Sequence, residues 1–127
     1  MAEAYSDIAL DHFEHPRNVG EMEDADVVGC SENPASGASL KLYLRMDPDG
    51  VIVDTLFEAH GCTATIAASS VTTELLVGRK LDDDVLTQDE LSDVLGGLPA
   101  TREHAFRLVT DAIQSATRQC RSIPETP

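Results

Sequence analysis

The apolar positions change period several times along the chain, and each change marks an element. Tyr5, Ile8, Ala9, His12 and Phe13 recur at helical spacing, with Ser6 or Asp7 placed to cap the start. His15-Pro16 stops that helix, because the residue before a proline is pushed out of the α region. Arg17 to Asp24 is a connector with Asn18 and Gly20 as turn residues, and Asp26 to Ser31 reads as a first strand. The small, turn-prone residues from Glu32 to Ser39 predict a loop. Leu40, Leu42, Leu44 and Met46 then alternate with Lys41, Tyr43 and Arg45, the period-two pattern of a half-buried strand. Asp47-Pro48-Asp49-Gly50 turns the chain back. On the returning strand, Val51, Val53, Phe57 and Ala59 fall on one face and Asp54 and Glu58 on the other, which predicts an antiparallel hairpin.

The hairpin delivers the chain to His60-Gly61-Cys62, where the pattern switches to a helix dense in small residues, ended by Gly78. Small side chains let such a helix lie close against its neighbours, since the backbone sets the approach distance. Thr87 and Glu90 stand three apart ahead of Leu91, Val94 and Leu95, the signature of a capped short helix that Gly96-Gly97 closes. Pro99 and Thr101 open a last helix whose apolar stripe runs Ala105, Leu108, Val109, Ala112, Ile113 and Ala116. Cys120 continues that stripe and is expected in the core; the tail from Ser122 is expected to fray. No repeat or linker interrupts residues 1–127, so a single domain is expected.

Composition narrows the function. A net charge of −14 argues against nucleic acid or an anionic membrane as partner, because both would be repelled. The run Asp82-Asp83-Asp84 reads as a solvated loop. No apolar run is long enough to span a membrane and the first residues do not form a signal peptide. Cys30, Cys62 and Cys120 are odd in number and widely spaced, unlike a secreted disulfide framework, so a soluble cytoplasmic protein is expected. Gly61 permits a tight strand-to-helix turn and puts Cys62 at a helix N-terminus, where unpaired amides and the helix dipole favour thiolate. A thiolate is both a nucleophile and a soft metal ligand; the competing reading of Cys62 is a small thiol kept for packing.

With these pieces in order, the chain resembles the U-type iron–sulfur cluster scaffold family, the IscU proteins and the N-terminal domain of NifU. His12-Phe13-Glu14-His15-Pro16-Arg17-Asn18-Val19-Gly20 is similar to the family's opening motif. Pro34-Ala35-Ser36-Gly37-Ala38 before Leu40-Lys41-Leu42 is similar to its first ligand loop and second strand. Gly61-Cys62 with Ala67-Ala68-Ser69-Ser70 matches the second ligand loop, and Leu98-Pro99, His104 and Asp111-Ala112-Ile113 match the third ligand region and last helix. The resemblance implies an α+β fold, an antiparallel three-stranded sheet packed by helices. It also implies a scaffold rather than an enzyme, one that binds iron or an iron–sulfur cluster, takes sulfur from a cysteine desulfurase and passes clusters to acceptor proteins. A homo-oligomer is among the implied partners.

The ligand set departs from the family. Its loop normally reads Ala-Cys-Gly-Asp, where this chain has Ala35-Ser36-Gly37-Ala38, and its third cysteine follows the histidine, where this chain has Ala105 after His104. Cys62 and His104 remain, and Ser36 marks a lost ligand; a hydroxyl is a hard, high-pKa substitute for a soft thiolate. Two protein ligands make no closed tetrahedral site. They suit a labile iron or zinc ion, or one edge of a cluster completed from outside; a chain that holds no metal is the other outcome. Cys30 and His60 stay open as further ligands, while His12 and His15 read as capping or surface groups and Glu103 points away from His104 around the helix. The family's Leu-Pro-Pro-Val-Lys chaperone-recognition stretch reads Leu98-Pro99-Ala100-Thr101-Arg102 here. The competing function is a paralogue that keeps the fold and docking surface but no longer assembles clusters.

Overall fold

The computed structural model describes residues 5–82, 84–99 and 102–122. Among them are a three-stranded antiparallel sheet of order β1-β2-β3 and four helices. The chain runs α1 (Asp7–Glu14), β1 (Val27–Asn33), β2 (Ala38–Met46), β3 (Ile52–His60), α2 (Thr63–Leu76), α3 (Gln88–Leu95) and α4 (His104–Ser122). Asp83 and Thr101, on which the acidic run and the start of the last helix partly rest, lie outside the described residues, as does the tail beyond Ser122.

α1 begins where Ser6 accepts the Ala9 amide at 3.0 Å, and the same hydroxyl donates to the Leu95 carbonyl at the end of α3. Only Ala9 and His12 of α1 are buried; Ile8 and Phe13, counted in its apolar stripe, are exposed. The helix is short and packs on α2, with its N-terminal end against α3, and Ile8 and Phe13 face outward. His12 itself is not a surface group but packs into that contact, 6% exposed.

The first hairpin is tighter than the loop expected over residues 32–39. Asn33 pairs with Ala38, its carbonyl accepts the Gly37 amide at 2.8 Å, and its side chain accepts the Ala35 amide at 3.1 Å. Asn33 thus closes the turn on itself, and Ala38 becomes a buried residue of β2 rather than a loop residue. The β2–β3 register shifts between Arg45 and Met46, so Arg45 opposes Asp54 while Met46 opposes Ile52. That bulge reverses the alternation at the start of β3. Ile52 therefore enters the core and Val53 turns out to solvent, against the expected assignment. Tyr43, on the expected polar face, is buried as well, and its hydroxyl donates to Glu58 on β3 at 2.5 Å.

α2 is buried nearly all round, which its composition permits only because its hydroxyls find partners at home. Ser69 donates to the Thr65 carbonyl, Thr72 to Ala68 and Thr73 to Ser70, each at 2.7–2.8 Å. Thr55 on β3 donates to the Thr73 carbonyl at 2.8 Å and seats the helix on the sheet. α3 starts as expected, with Thr87 accepting the Glu90 amide at 3.1 Å. Glu90 does not return the bond; its carboxylate instead grips both ends of the Arg79 guanidinium at 2.8 and 2.6 Å.

α4 lies along the edge strand β1 and blocks it. Ser115 accepts the Cys30 amide at 3.1 Å, Gln119 accepts the Val28 amide at 2.7 Å, and Ser31 donates to the Leu108 carbonyl at 2.6 Å. The stripe from Ala105 to Ala116 is buried as expected. Cys120 is exposed, contrary to expectation. At that point the helix lies beside the start of β1, with Gln119 on the Val28 amide, and the thiol borders an open cleft with Asp26, Met46 and Lys80 instead of the core.

Candidate functional site

Three segments meet at one end of the sheet. The hairpin tip carrying Ser36 closes with the Asn33–Ala38 pair, and the next residue, Ser39, pairs with His60 two positions before Cys62. α4 supplies the third segment. Its first residue, His104, shares an open cleft of about 330 Å³ with Pro34 of the hairpin tip. The charge of Arg102, just ahead of α4, is felt at the Cys62 thiol.

Cys62 is the N-cap residue of α2, with extended backbone (φ −84°, ψ 179°), and is half-buried. Gly61 makes this position reachable. Its φ is +152°, and a Cβ there would sit 2.6 Å from the Thr65 hydroxyl. With no side chain at Gly61, Thr65 lies over the turn and brings its Oγ1 to 3.7 Å from the Cys62 sulfur. Burial, the largest single influence, pushes the thiol pKa up. It is outweighed by the Thr65 amide and hydroxyl, the Ala64 amide and the positive charge of Arg102, so the net shift is downward. The amides close no cap bond to the neutral thiol; their contribution comes when the sulfur ionises. Thr65 was not singled out in the sequence, and its position three residues after a helix cap was the available signal. The rate of Cys62 alkylation should therefore rise with pH through a midpoint below the ordinary cysteine value, and Thr65→Val should move that midpoint up. Mass-spectrometric mapping of alkylation against pH measures both; a Cys62 midpoint above the ordinary value would make it a packed, inert thiol.

Ser36 is exposed, and its hydroxyl serves the turn, accepting the Ala38 amide at 3.3 Å. Ala105 is fully buried and Ala38 nearly so. Cys30 is exposed on β1, level with Lys41 on the face of the sheet that Gly29 and Leu42 do not share. His60 is exposed at the end of β3. Cys120 lies sixteen residues along α4 from His104, about 24 Å at the helical rise. Among the described residues, no three His, Cys, Asp or Glu side chains stand together where they could hold a metal ion.

His12 has a definite partner set that sequence reasoning missed. Its Nδ1 is 2.8 Å from the Ser70 hydroxyl, which also accepts the Arg17 amide at 2.9 Å, and its Nε2 is 3.4 Å from Glu74. A neutral ring satisfies all of these, with Ser70 donating to Nδ1 and Nε2–H directed at Glu74. Ser70 is fully buried, so the pair is a clamp between α1 and α2, not a nucleophile and its base. Burial lowers the His12 pKa most, the Arg17 charge adds to this, and Glu74 and Asp11 oppose both. Because the folded pKa is depressed, the unfolded chain takes up this proton first. The stability is complete above the unfolded value of about 6.5 and is lost as pH falls toward the folded one. Urea midpoints measured from about pH 7.5 down to about pH 5 should fall less steeply for His12→Gln than for the unaltered chain; equal slopes would remove His12 as the cause.

The sequence profile of the NifU-like N-terminal domain matches residues 4–126. The chain belongs to this family. The iron–sulfur cluster assembly scaffold protein IscU 1 of Archaeoglobus fulgidus is 42% identical over 113 residues, which cover 88% of this chain and 73% of that protein. IscU of Azotobacter vinelandii, also named a cluster assembly scaffold, is 38% identical over 119 residues, 91% of this chain and 92% of that one. The crystal structure of a NifU-like N-terminal protein from Brucella abortus superposes with a TM-score of 0.79 at 20% identity, over 94% of this chain and 95% of that chain. It shares the α+β fold, a three-stranded antiparallel sheet packed by helices, that the NifU-like motifs implied. Among the described residues no helix is long and apolar enough to cross a membrane.

Proposed function

We propose that this protein is an iron–sulfur cluster assembly scaffold working through Cys62, with His104 as its second ligand and the cluster or its iron as cargo. The observation that carries the reading is the placement of Cys62. It is a half-exposed thiol of lowered pKa at a helix N-terminus, on the end of the sheet that α4 brings His104 toward. In the first step the Cys62 thiolate attacks the outer sulfur of a cysteine desulfurase persulfide. A new S–S bond forms at Cys62, and the desulfurase cysteine leaves as a thiolate. Thr65 and the Ala64 amide hold the attacking charge, and Arg102 lies near enough to favour it. Cys62 and His104 then offer iron one soft and one imidazole ligand, and the remaining positions are filled from outside the chain. The assembled cargo passes to acceptor proteins. Ser36 marks a position that contributes no thiolate, so cargo is held loosely.

Anaerobic incubation with a cysteine desulfurase, cysteine and ferrous iron tests this. Intact-mass analysis should find one added sulfur on Cys62, and elemental analysis should find substoichiometric iron that gel filtration strips. A chain that binds the desulfurase yet takes no sulfur would be a docking paralogue. A stoichiometric cluster that survives gel filtration would mean that further ligands exist, with Cys30 the first to replace.

A further inference from the structure

The cleft beside His104 has a charge pattern that cluster cargo alone leaves unused. Glu32 at the end of β1 and Asp111 on α4 line it with carboxylates, and Arg107 lines it with a guanidinium. Arg107 is 79% exposed, and its Nε is 3.9 Å from Asp111, at the outer limit of an ion pair. Its fork is therefore open to a carboxylate. A simple anion would have to approach a chain of net charge −14, and a simple cation would have no use for Arg107. A zwitterion meets neither objection, with its carboxylate on Arg107 and its ammonium between Glu32 and Asp111. The volume, about 330 Å³, is at the small end of ligand sites. His104 in the same wall lacks a cysteine neighbour, because Ala105 is buried and Ser36 is a hydroxyl. We propose that this cleft binds the zwitterionic α-amino-acid group of a small thiol, cysteine or the γ-glutamyl end of a thiol peptide, whose sulfur becomes a ligand to iron beside His104. The use made of that sulfur rests on the scaffold reading; the binding does not.

The test separates the two. Metal-free protein is titrated with S-methyl-L-cysteine and with S-methylglutathione, whose sulfur cannot ligate as a thiolate, and backbone amides are followed by NMR. Saturable shifts should be confined to residues 32–34 and 104–111, and the tighter probe identifies the source. Arg107→Gln, an exposed change, should weaken binding about fivefold, the effect of losing roughly one kcal/mol. Methylthioethylamine, which lacks the carboxylate, should bind more weakly still than either probe. Absence of saturable shifts in those segments, or equal binding of the amine, overturns the proposal whatever the protein does with iron. With cobalt(II) as metal probe, cysteine should add thiolate-to-cobalt absorption that elutes with the protein, and cysteamine should add less. Equal absorption from the two thiols overturns the ligand role.

Discussion

Gly29→Ala should be the most damaging single change outside the site, costing about 3 kcal/mol or more and lowering the melting temperature by about 10 °C or more. Gly29 faces α4 from the edge strand, and a Cβ built there lies 2.1 Å from the Ala112 carbonyl oxygen and 3.0 Å from the Ala116 Cβ. The first clash is with backbone inside a helix, which no rotamer change relieves. α4 would have to move off β1, and the same face holds the Ser31 bond to Leu108, the Ser115 bond to Cys30 and the Gln119 bond to Val28. Gly37→Ala is the control. Its φ is +76° and nothing lies within 4 Å of the added carbon, so only the backbone strain of about 1–2 kcal/mol applies. Urea denaturation of both variants decides the matter, and a Gly29 loss no larger than the Gly37 loss would refute the close-packing account. A functional consequence follows from topology. α4 begins at His104, so a helix displaced from β1 also displaces His104 from the Cys62 end of the sheet. Any folded Gly29→Ala protein should hold iron less well even though its ligands are unchanged.

The elements were legible because each has a local cause. Ser6 and Thr87 cap their helices, Gly61 and Gly96 take positive φ, and Leu40, Leu42 and Leu44 are buried at every second position of β2. What sequence could not show depends on contacts far along the chain. The fate of Val53 is decided by a register shift against Met46, and that of Cys120 by the open cleft it shares with Asp26, Met46 and Lys80. His12 looked like a helix-end residue because its partner, Ser70, stands fifty-eight positions away. The site was legible in part for the same reason. The Gly61-Cys62 turn is local and its helix-cap geometry could be read directly. The approach of His104 depends on α4 packing along β1, and the acidifying hydroxyl of Thr65 depends on the space left by Gly61. Ala38 shows the limit most clearly: turn-prone neighbours made it look like loop, and one backbone pairing with Asn33 makes it core.

Restoring thiolates should convert loose cargo into held cargo. In Ser36→Cys/Ala105→Cys the two new thiols join Cys62 and His104, giving a four-ligand set, and a cluster should survive gel filtration with stoichiometric iron. The costs differ by position. Ser36 is exposed and gives up only a 3.3 Å turn bond, so its replacement should stay within about 1 kcal/mol. Ala105 is fully buried, and an added sulfur there should cost about 1–3 kcal/mol in the metal-free protein. Adding Ala38→Asp goes further, because that residue is 2% exposed and an unpaired carboxylate loses its hydration there. The metal-free triple variant should therefore be less stable than the double variant and the unaltered chain, and metal should raise its melting temperature, since a ligand bound only by the folded state stabilises it. The decisive comparison is with desulfurase and iron present. If the double variant keeps the native circular dichroism and accepts sulfur on Cys62 but still loses its iron on the column, missing thiolates are not what makes the cargo labile. The arrangement of α4 against the Cys62 turn would then have to be the cause.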